Sequence, residues 1–421
     1  MAGTDRRHSI KVDENTCIGC VACMKACPVK AVRVRNRKAK IDYERCIDCG
    51  ECLRVCAYNA VIPITTLPSD LKRFKYRVAI PSPVLYSQFG QQVLPNEILA
   101  ALKDVGFDHV HDEALVCEMT TLAIEEYLNE NKSLRPVISS TCPVVVRLIQ
   151  RLFPALCQLI VPIEPPRETA AKKLRKEISA EFEIPPGDIG IFNVTSCSAK
   201  MVSISSPETR AQSSLDGAIS IHEIYNAIMT RLKKTQAPSM LRTQGDMSGI
   251  GLGWAVSGGE IEGLQNLYKV AVSGVSDTIR ILEDVESGKL KNIDYLECLI
   301  CPGGCVGGPL AVENRFIAAS NIVRSIRLFG NNRRVDAAFV RRLYDEQLFS
   351  FEWAVKPRPF PALAKEKRES VRRLKIKERM IKRLPGIDCG LCGAPDCKTL
   401  AEDIARGQAR LKDCVILLNR L

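Results

Sequence analysis

Histidine is scarce in this 421-residue chain: there are four, His8, His109, His111 and His222. So few imidazoles disfavour a His-rich zinc or non-haem iron site. No apolar run approaches the roughly 20 residues that a membrane-spanning helix needs, so no membrane insertion is expected. The stretch from Met1 to Asn15 is polar and lacks the apolar core of a signal peptide, which makes a cytoplasmic location the expectation. A nucleotide-binding glycine signature is missing as well. Gly249-Ile250-Gly251-Leu252-Gly253 lacks the Gly-x-Gly-x-x-Gly spacing and has no acidic residue placed for a ribose, so it reads as a glycine-rich turn. With no flavin or nicotinamide site in view, electrons have to come from a separate protein.

Aromatic residues make up only 5% of the chain. Their scarcity matters where the charge concentrates. The net charge is +12, and between Lys365 and Arg383 ten Lys/Arg face three Glu. No aromatic side chain interleaves with these cations, as stacking on nucleic-acid bases would require. The stretch therefore reads as a solvated basic helix joining two domains, or as a docking face for an acidic redox partner, and no nucleic acid is expected.

Cysteine is what the chain has in quantity: 19 residues, too many to leave idle in a reducing compartment where disulfides are rare. Cys17-x2-Cys20-x2-Cys23-x3-Cys27-Pro28 recurs 29 residues later as Cys46-x2-Cys49-x2-Cys52-x3-Cys56. This repeat is the bacterial two-cluster ferredoxin signature, in which the fourth ligand of each cubane crosses over from the other copy. Cys17, Cys20, Cys23 and Cys56 are thus expected to hold one 4Fe-4S cluster, and Cys46, Cys49, Cys52 and Cys27 the other. A pair of zinc knuckles is the competing use of such spacings, and Ala57 replaces the usual proline of the second copy. Residues 31–35 and 38–42 alternate weakly, as a hairpin would.

Past a Pro/Thr/Ser-rich linker at 63–69 the pattern becomes short apolar strands alternating with amphipathic helices. Strands are expected at 77–81, 137–140, 189–194, 269–273 and 293–299, and helices at 96–103, 120–129, 143–151, 167–182, 222–232 and 275–286. Such alternation predicts α/β layers with parallel sheets in two lobes. Cys142, Cys197 and the pair Cys301-Pro302-Gly303-Gly304-Cys305 fall at or just after the C-terminal ends of these strands, where open α/β sheets place ligands. Gly303 and Gly304 would let the backbone approach a cofactor and donate N–H bonds to sulfur. Four thiolates from three loops would hold one more cubane. Cys157 and Cys117 read as buried structural cysteines.

Three segments, Ser140-Thr141-Cys142-Pro143, Ser196-Cys197-Ser198-Ala199-Lys200 and Glu297-x3-Cys301-x-Gly-Gly-Cys305, resemble in order the cluster-binding motifs of the FeFe-hydrogenase catalytic domain. The resemblance covers most of the chain from Cys17 to about Ser350. It implies an H-cluster, a 4Fe-4S cubane on Cys142, Cys197, Cys301 and Cys305 with Cys305 bridging to a CO- and CN-ligated two-iron subsite. It also implies that Lys200 hydrogen-bonds a cyanide, that hydrogen and protons are the substrates, and that maturation proteins install the subsite. The departures concern protons. Catalytic members carry a free cysteine where this chain has Thr141, and the two relay carboxylates correspond to Met119 and Leu122. No hydroxyl stands in for the relay serine between Leu156 and Arg167, and two subsite methionines correspond to Thr195 and Leu299. Cys298 and Glu118, with Cys117 and Glu297, are the candidates for a replacement relay.

Finally, Cys389-x2-Cys392-x4-Cys397-x16-Cys414 resembles the small C-terminal 4Fe-4S domain of sensory-type members, with a zinc site as the competing use. The expected organisation is an α+β two-cluster ferredoxin domain (1–68), an α/β two-lobed catalytic-type domain (75–352), a basic helical linker (357–383) and a separately folded C-terminal iron–sulfur domain (384–421). The expected cofactors are three 4Fe-4S clusters plus the H-cluster. Losing an efficient proton donor costs about 10²–10⁴ in rate, so the expected function is slow hydrogen turnover of a sensory kind, with a ferredoxin or signalling protein as partner. The alternatives are an ordinary hydrogenase with another relay, or a noncatalytic assembly or electron-transfer protein without the two-iron subsite.

Overall fold

The structure, a computed structural model, describes residues 8–234 and 247–418. The leading residues Met1 to Arg7, read above for targeting, lie outside the described residues. Two compact units emerge: one built on Thr65–Pro357, the other combining Ile10–Ile64 with the segment from Arg358 onward.

In the second unit the cysteine repeat imposes a backbone repeat. Gly19 and Asp48, the third residues of the two Cys-x2-Cys loops, are both left-handed (φ 76° and 56°), as are Val21 and Gly50 (φ 65° and 78°). A β-branched residue rarely tolerates that conformation, so Val21 marks a position where the loop's geometry overrides local preference. Each loop leads into a short helix, Ala22–Ala26 or Glu51–Arg54. The expected hairpin forms from Val32–Arg35 and Lys38–Ile41, closed by Asn36 and Arg37, both left-handed as a two-residue turn of matching twist requires. Strands Ile10–Val12 and Val61–Pro63 pair antiparallel and close the module.

The basic stretch contributes the helix Lys367–Arg383. One side of it is apolar: Ile376, Met380 and Leu384 pack on Ala394, Leu400, Ala401 and Cys414 of the terminal segment. That segment, expected to fold separately, is held in the same unit as the cysteine repeat.

The larger unit contains two parallel sheets. One runs in the order His109–Val110, Tyr76–Pro81, Ile189–Thr195, Gly217–Ser220, and the other Lys269–Ser273, Tyr295–Leu299, Val137–Ile138. The chain thus has the parallel two-lobed α/β architecture that the alternating pattern predicts. Two edge strands, His109–Val110 and Gly217–Ser220, are too short to carry a pattern of their own. The helix expected at 120–129 begins earlier, spanning Glu113–Glu130, because the Asp112 side chain caps it by accepting from Ala114 N at 3.1 Å. The glycine run is a short helix, Gly249–Gly253, rather than a turn. Its glycines are needed for contact: a Cβ on Gly251 would sit 1.7 Å from the Ala114 carbonyl oxygen, and one on Gly249 1.9 Å from that of Gly330.

Candidate active site

Each sheet feeds cysteines into the loops at its carboxyl edge. Cys197 follows the strand Ile189–Thr195 and immediately precedes the helix Ser198–Ser205; Cys142 follows Val137–Ile138 and immediately precedes Pro143–Leu152. A helix N-terminus favours the thiolate form of a cysteine placed there. Cys301 and Cys305 follow Tyr295–Leu299 in a loop bent by Gly303 and Gly304 (φ 81° and 100°). A Cβ on Gly304 would lie 2.5 Å from Ser257 N, so only glycine permits this approach. The loop is pinned by Ser257 N to Gly303 O at 3.1 Å and Val306 N to Ala255 O at 3.0 Å. Ser196 ties two cysteine loops together, donating its hydroxyl to Cys305 O at 2.8 Å while its carbonyl accepts from Leu310 N at 3.0 Å.

The four cysteines line one cavity. Lys200, Thr141, Glu113, Cys117, Arg167 and Trp254 share its wall. Burial pushes the Cys305 thiol up to about 12, with Lys200 opposing and Cys142 and Cys197 adding to the rise. Burial, then Cys197, raises Cys142 likewise. Thiols enclosed this way become stable thiolates when they ligate a metal centre, so the donor set fits a cluster.

Of the residues predicted from sequence, Lys200 and Thr141 lie on the cavity wall; Gly303 and Gly304 shape the loop behind it. Glu118 does not line the cavity. Its carboxylate is taken up by the Ser248 hydroxyl and by the backbone N–H groups of Arg334 (2.6 Å) and Val335 (2.9 Å), a tether for that segment. Cys298 is fully buried off the cavity wall, its thiol raised by burial and by nearby Cys142.

Sequence reasoning missed two acidic groups. Glu113 is one helical turn before Cys117, and both face the cavity. Burial raises its carboxyl, while Lys200 and Arg167 act against that rise. The N-cap signal Asp112-Glu113 could have revealed it. The second is Glu260, which no linear motif marks. It accepts the Tyr295 hydroxyl at 2.5 Å and the Ser139 hydroxyl at 2.9 Å, and the Thr141 side chain supplies a further hydrogen bond. Burial raises the Glu260 carboxyl against these three donors. Glu297, pushed up to about 8 by burial and then by Glu260, accepts from Gly258 N at 2.8 Å and Ile261 N at 3.3 Å. Gly258 in turn lines a broad open groove with Glu262 and Arg333. A line of hydroxyls and buried carboxyls thus leads from Thr141 away from the cavity.

The repeat cysteines gather as two sets. The Cys23 thiol is pushed up to about 11 by burial and by Cys17, Cys20 and Cys56; Cys49 is raised by burial and by Cys27, Cys52 and Cys46. Backbone N–H groups point at the sulfurs, Ala31 to Cys27 at 3.2 Å and Ala60 to Cys56 at 3.3 Å, the same offset in both copies. Such bonds stabilise thiolate charge and tune cluster potential. At the C-terminal set, burial raises Cys392, with Cys389 and Cys414 adding to it.

Among the described residues no helix is long and apolar enough to cross a membrane. The chain is 24% identical over 372 residues to the periplasmic Fe hydrogenase large subunit of Nitratidesulfovibrio vulgaris, covering 73% of this chain and 87% of that protein. It is also 24% identical over 273 residues to iron hydrogenase 1 of Clostridium pasteurianum, covering 52% of this chain and 46% of that one. A structure of a variant FeFe-hydrogenase from Chlamydomonas reinhardtii superposes with a TM-score of 0.52 at 15% identity, covering 69% of this chain and 96% of that one. An apo variant form gives 0.53 at 14% identity, covering 69% and 97%; these two likenesses concern the fold. The 4Fe-4S dicluster domain model matches residues 9–57, and an Fe-S cluster model matches 384–416. With the model of the iron-only hydrogenase large subunit, C-terminal domain, matching residues 75–271 and 262–309, more than half of its length, this iron–sulfur chain belongs to the FeFe-hydrogenase family.

Proposed function

We propose that the chain is a sensory-type FeFe-hydrogenase, turning hydrogen over slowly and reversibly at an H-cluster and passing electrons through ferredoxin-type clusters. The observation that carries this reading is Thr141, a hydroxyl on the cavity wall beside Cys142, where catalytic members have a proton-donating cysteine. In this reading Cys142, Cys197, Cys301 and Cys305 hold the cubane, with Cys305 as the bridge. Cys17, Cys20, Cys23 and Cys56, then Cys46, Cys49, Cys52 and Cys27, then Cys389, Cys392, Cys397 and Cys414 hold three further 4Fe-4S clusters. The bound two-iron subsite supplies the centre at which the H–H bond is made or broken.

The chain's own residues do the rest. Lys200 presents ammonium N–H donors to an anionic ligand in the cavity, and Gly303 and Gly304 admit the backbone close to it. The buried Trp254 restricts water. Thr141 is too weak an acid to donate a proton outright, so it must accept one and release one in the same event. Glu260 takes up that proton as it gives its own to Glu297, and Glu297 releases one toward the groove that Gly258 lines. Such a route conducts less well than a thiol, which supports slow turnover. The partners in this reading are a redox or signalling protein and the maturation proteins.

A second reading, an ordinary hydrogenase with a non-standard relay, is favoured by the Glu260–Glu297 pair itself. Infrared spectra of protein produced with the maturation machinery test both. Intrinsic CO and CN bands are expected, and their absence would leave a noncatalytic electron carrier. Hydrogen oxidation by the same sample then separates the two, slow turnover supporting the sensor and a fast rate the ordinary enzyme.

A further inference from the structure

The C-terminal cysteine loop sits directly on the first half of the ferredoxin repeat. Gly393, next to Cys392, accepts a hydrogen bond on its carbonyl from Val34 N at 2.9 Å. Its left-handed backbone (φ 79°) brings it so near that a Cβ would fall 1.9 Å from Val34 O. Val34 also lines the small cavity enclosed by Cys17, Cys20, Cys23 and Cys56. On the other side of the loop, a Cβ on Gly390 would meet Lys25 Cε at 2.8 Å and Met24 Cε at 3.1 Å, the two residues that follow Cys23 in the chain. The Lys25 ammonium donates to the carbonyls of Asp388 and, at 2.8 Å, Pro395.

A charge cluster around one buried carboxylate secures this contact. Asp403, 2% exposed, takes a two-pronged bond from Arg33 (2.7 and 3.0 Å) and a third from Arg35 at 2.8 Å. The Arg35 guanidinium also donates to Gln408 O. Both arginines lie on the same hairpin strand as Val34. A bidentate guanidinium–carboxylate pair fixes orientation as well as distance, which a mere tether would not need.

We infer that Arg33, Arg35 and Asp403 hold the Cys389/Cys392/Cys397/Cys414 site in electronic contact with the Cys17/Cys20/Cys23/Cys56 site, across the Val34–Gly393 hydrogen bond. The C-terminal segment is then an electron port rather than a structural cap. Cys389 is exposed at its outer side. With clusters bound, the C-terminal site would take one electron from a ferredoxin-type protein donor and hand it on to the first site, with no bond or proton changing hands. Tunnelling falls off exponentially with separation, so loops in van der Waals contact are what such a transfer requires. This inference rests on both cysteine sets holding 4Fe-4S clusters.

The test is electron paramagnetic resonance of the full-length, dithionite-reduced protein, beside iron, zinc and sulfide analysis. The unsubstituted protein is expected to show spin coupling between the C-terminal cluster and a ferredoxin cluster, as split and fast-relaxing signals. Asp403→Asn and, separately, Gly393→Ala are expected to weaken that splitting with iron content unchanged. Cys414→Ser is expected to remove one cluster's iron and the coupling together. If Cys414→Ser leaves iron unchanged, or zinc occupies the site, the cluster reading fails and the port with it. If iron falls but the unsubstituted protein's spectrum is a plain sum of isolated signals, the port alone is overturned.

Discussion

The Tyr295 hydroxyl donates to Glu260 Oε1 at 2.5 Å, anchoring a buried carboxyl that also bonds the side chain of Thr141 on the cavity wall. Neither partner belongs to a cysteine motif, yet together they put an ionisable group behind the residue that replaces the expected thiol. The consequences for proton supply can be tested one residue at a time.

Glu260→Gln keeps the shape and one accepting oxygen but removes the exchangeable acid. Hydrogen turnover is expected to fall by about 10²-fold, the low end for a lost general acid–base group, with the CO and CN infrared bands retained. An unchanged rate would show that protons travel elsewhere, with Glu113 as the first place to look.

Thr141→Cys puts a thiol on the same wall. If proton delivery limits turnover, the rate of hydrogen oxidation is expected to rise at least roughly tenfold, a modest share of what a positioned acid contributes. A rate that does not move would place the limiting step in electron transfer or in the subsite.

Glu297 makes stability depend on pH in a definite direction. Its folded-state value, about 8, lies above the ordinary 4.5, because of burial and Glu260. Between those values the unfolded chain gives up a proton that the folded chain retains, so folding stability falls as pH rises from about 4.5 to about 8 and then levels. Glu297→Gln is expected to flatten that part of the curve. Thermal unfolding of both proteins from pH 5 to pH 9 checks it; parallel curves would refute it.

Gly251→Ala tests the helix crossing that aims Glu113 and Cys117. The added methyl would overlap the Ala114 carbonyl, at 1.7 Å. Overpacking of this kind costs about 1–3 kcal/mol, to be seen as a lowered denaturation midpoint. The displaced helix is also expected to perturb the cavity, read as altered infrared band positions. A variant as stable as the parent with identical bands would contradict the assigned contact.

Much of the fold was legible because its signals are local. Strands such as Lys269–Ser273 and helices such as Val275–Glu286 have the lengths and alternation the pattern predicts. The cysteine motifs were legible for a related reason: wrapping several corners of one cluster needs thiolates at short, set spacings. The start of the helix Glu113–Glu130 was missed because its first two turns mix polar and apolar residues, Glu113 and Cys117 facing the cavity while Ala114, Val116 and Met119 pack into the core. Glu118 and Cys298 were selected for nearness in sequence to site motifs, yet the helix and the strand turn them away from the cavity.

The sequence by itself determined the metal chemistry, the family resemblance and the alternating α/β plan, since each rests on spacings within a few residues or on repeats of them. Only the tertiary structure decided which acids stand behind Thr141, and that the C-terminal cysteines rest on the ferredoxin hairpin. Thr141, Glu260 and Glu297 come from three separate segments, as do Arg33, Arg35 and Asp403 from two. Burial and hydrogen bonding act between groups near in space, and no pattern along the chain records that nearness.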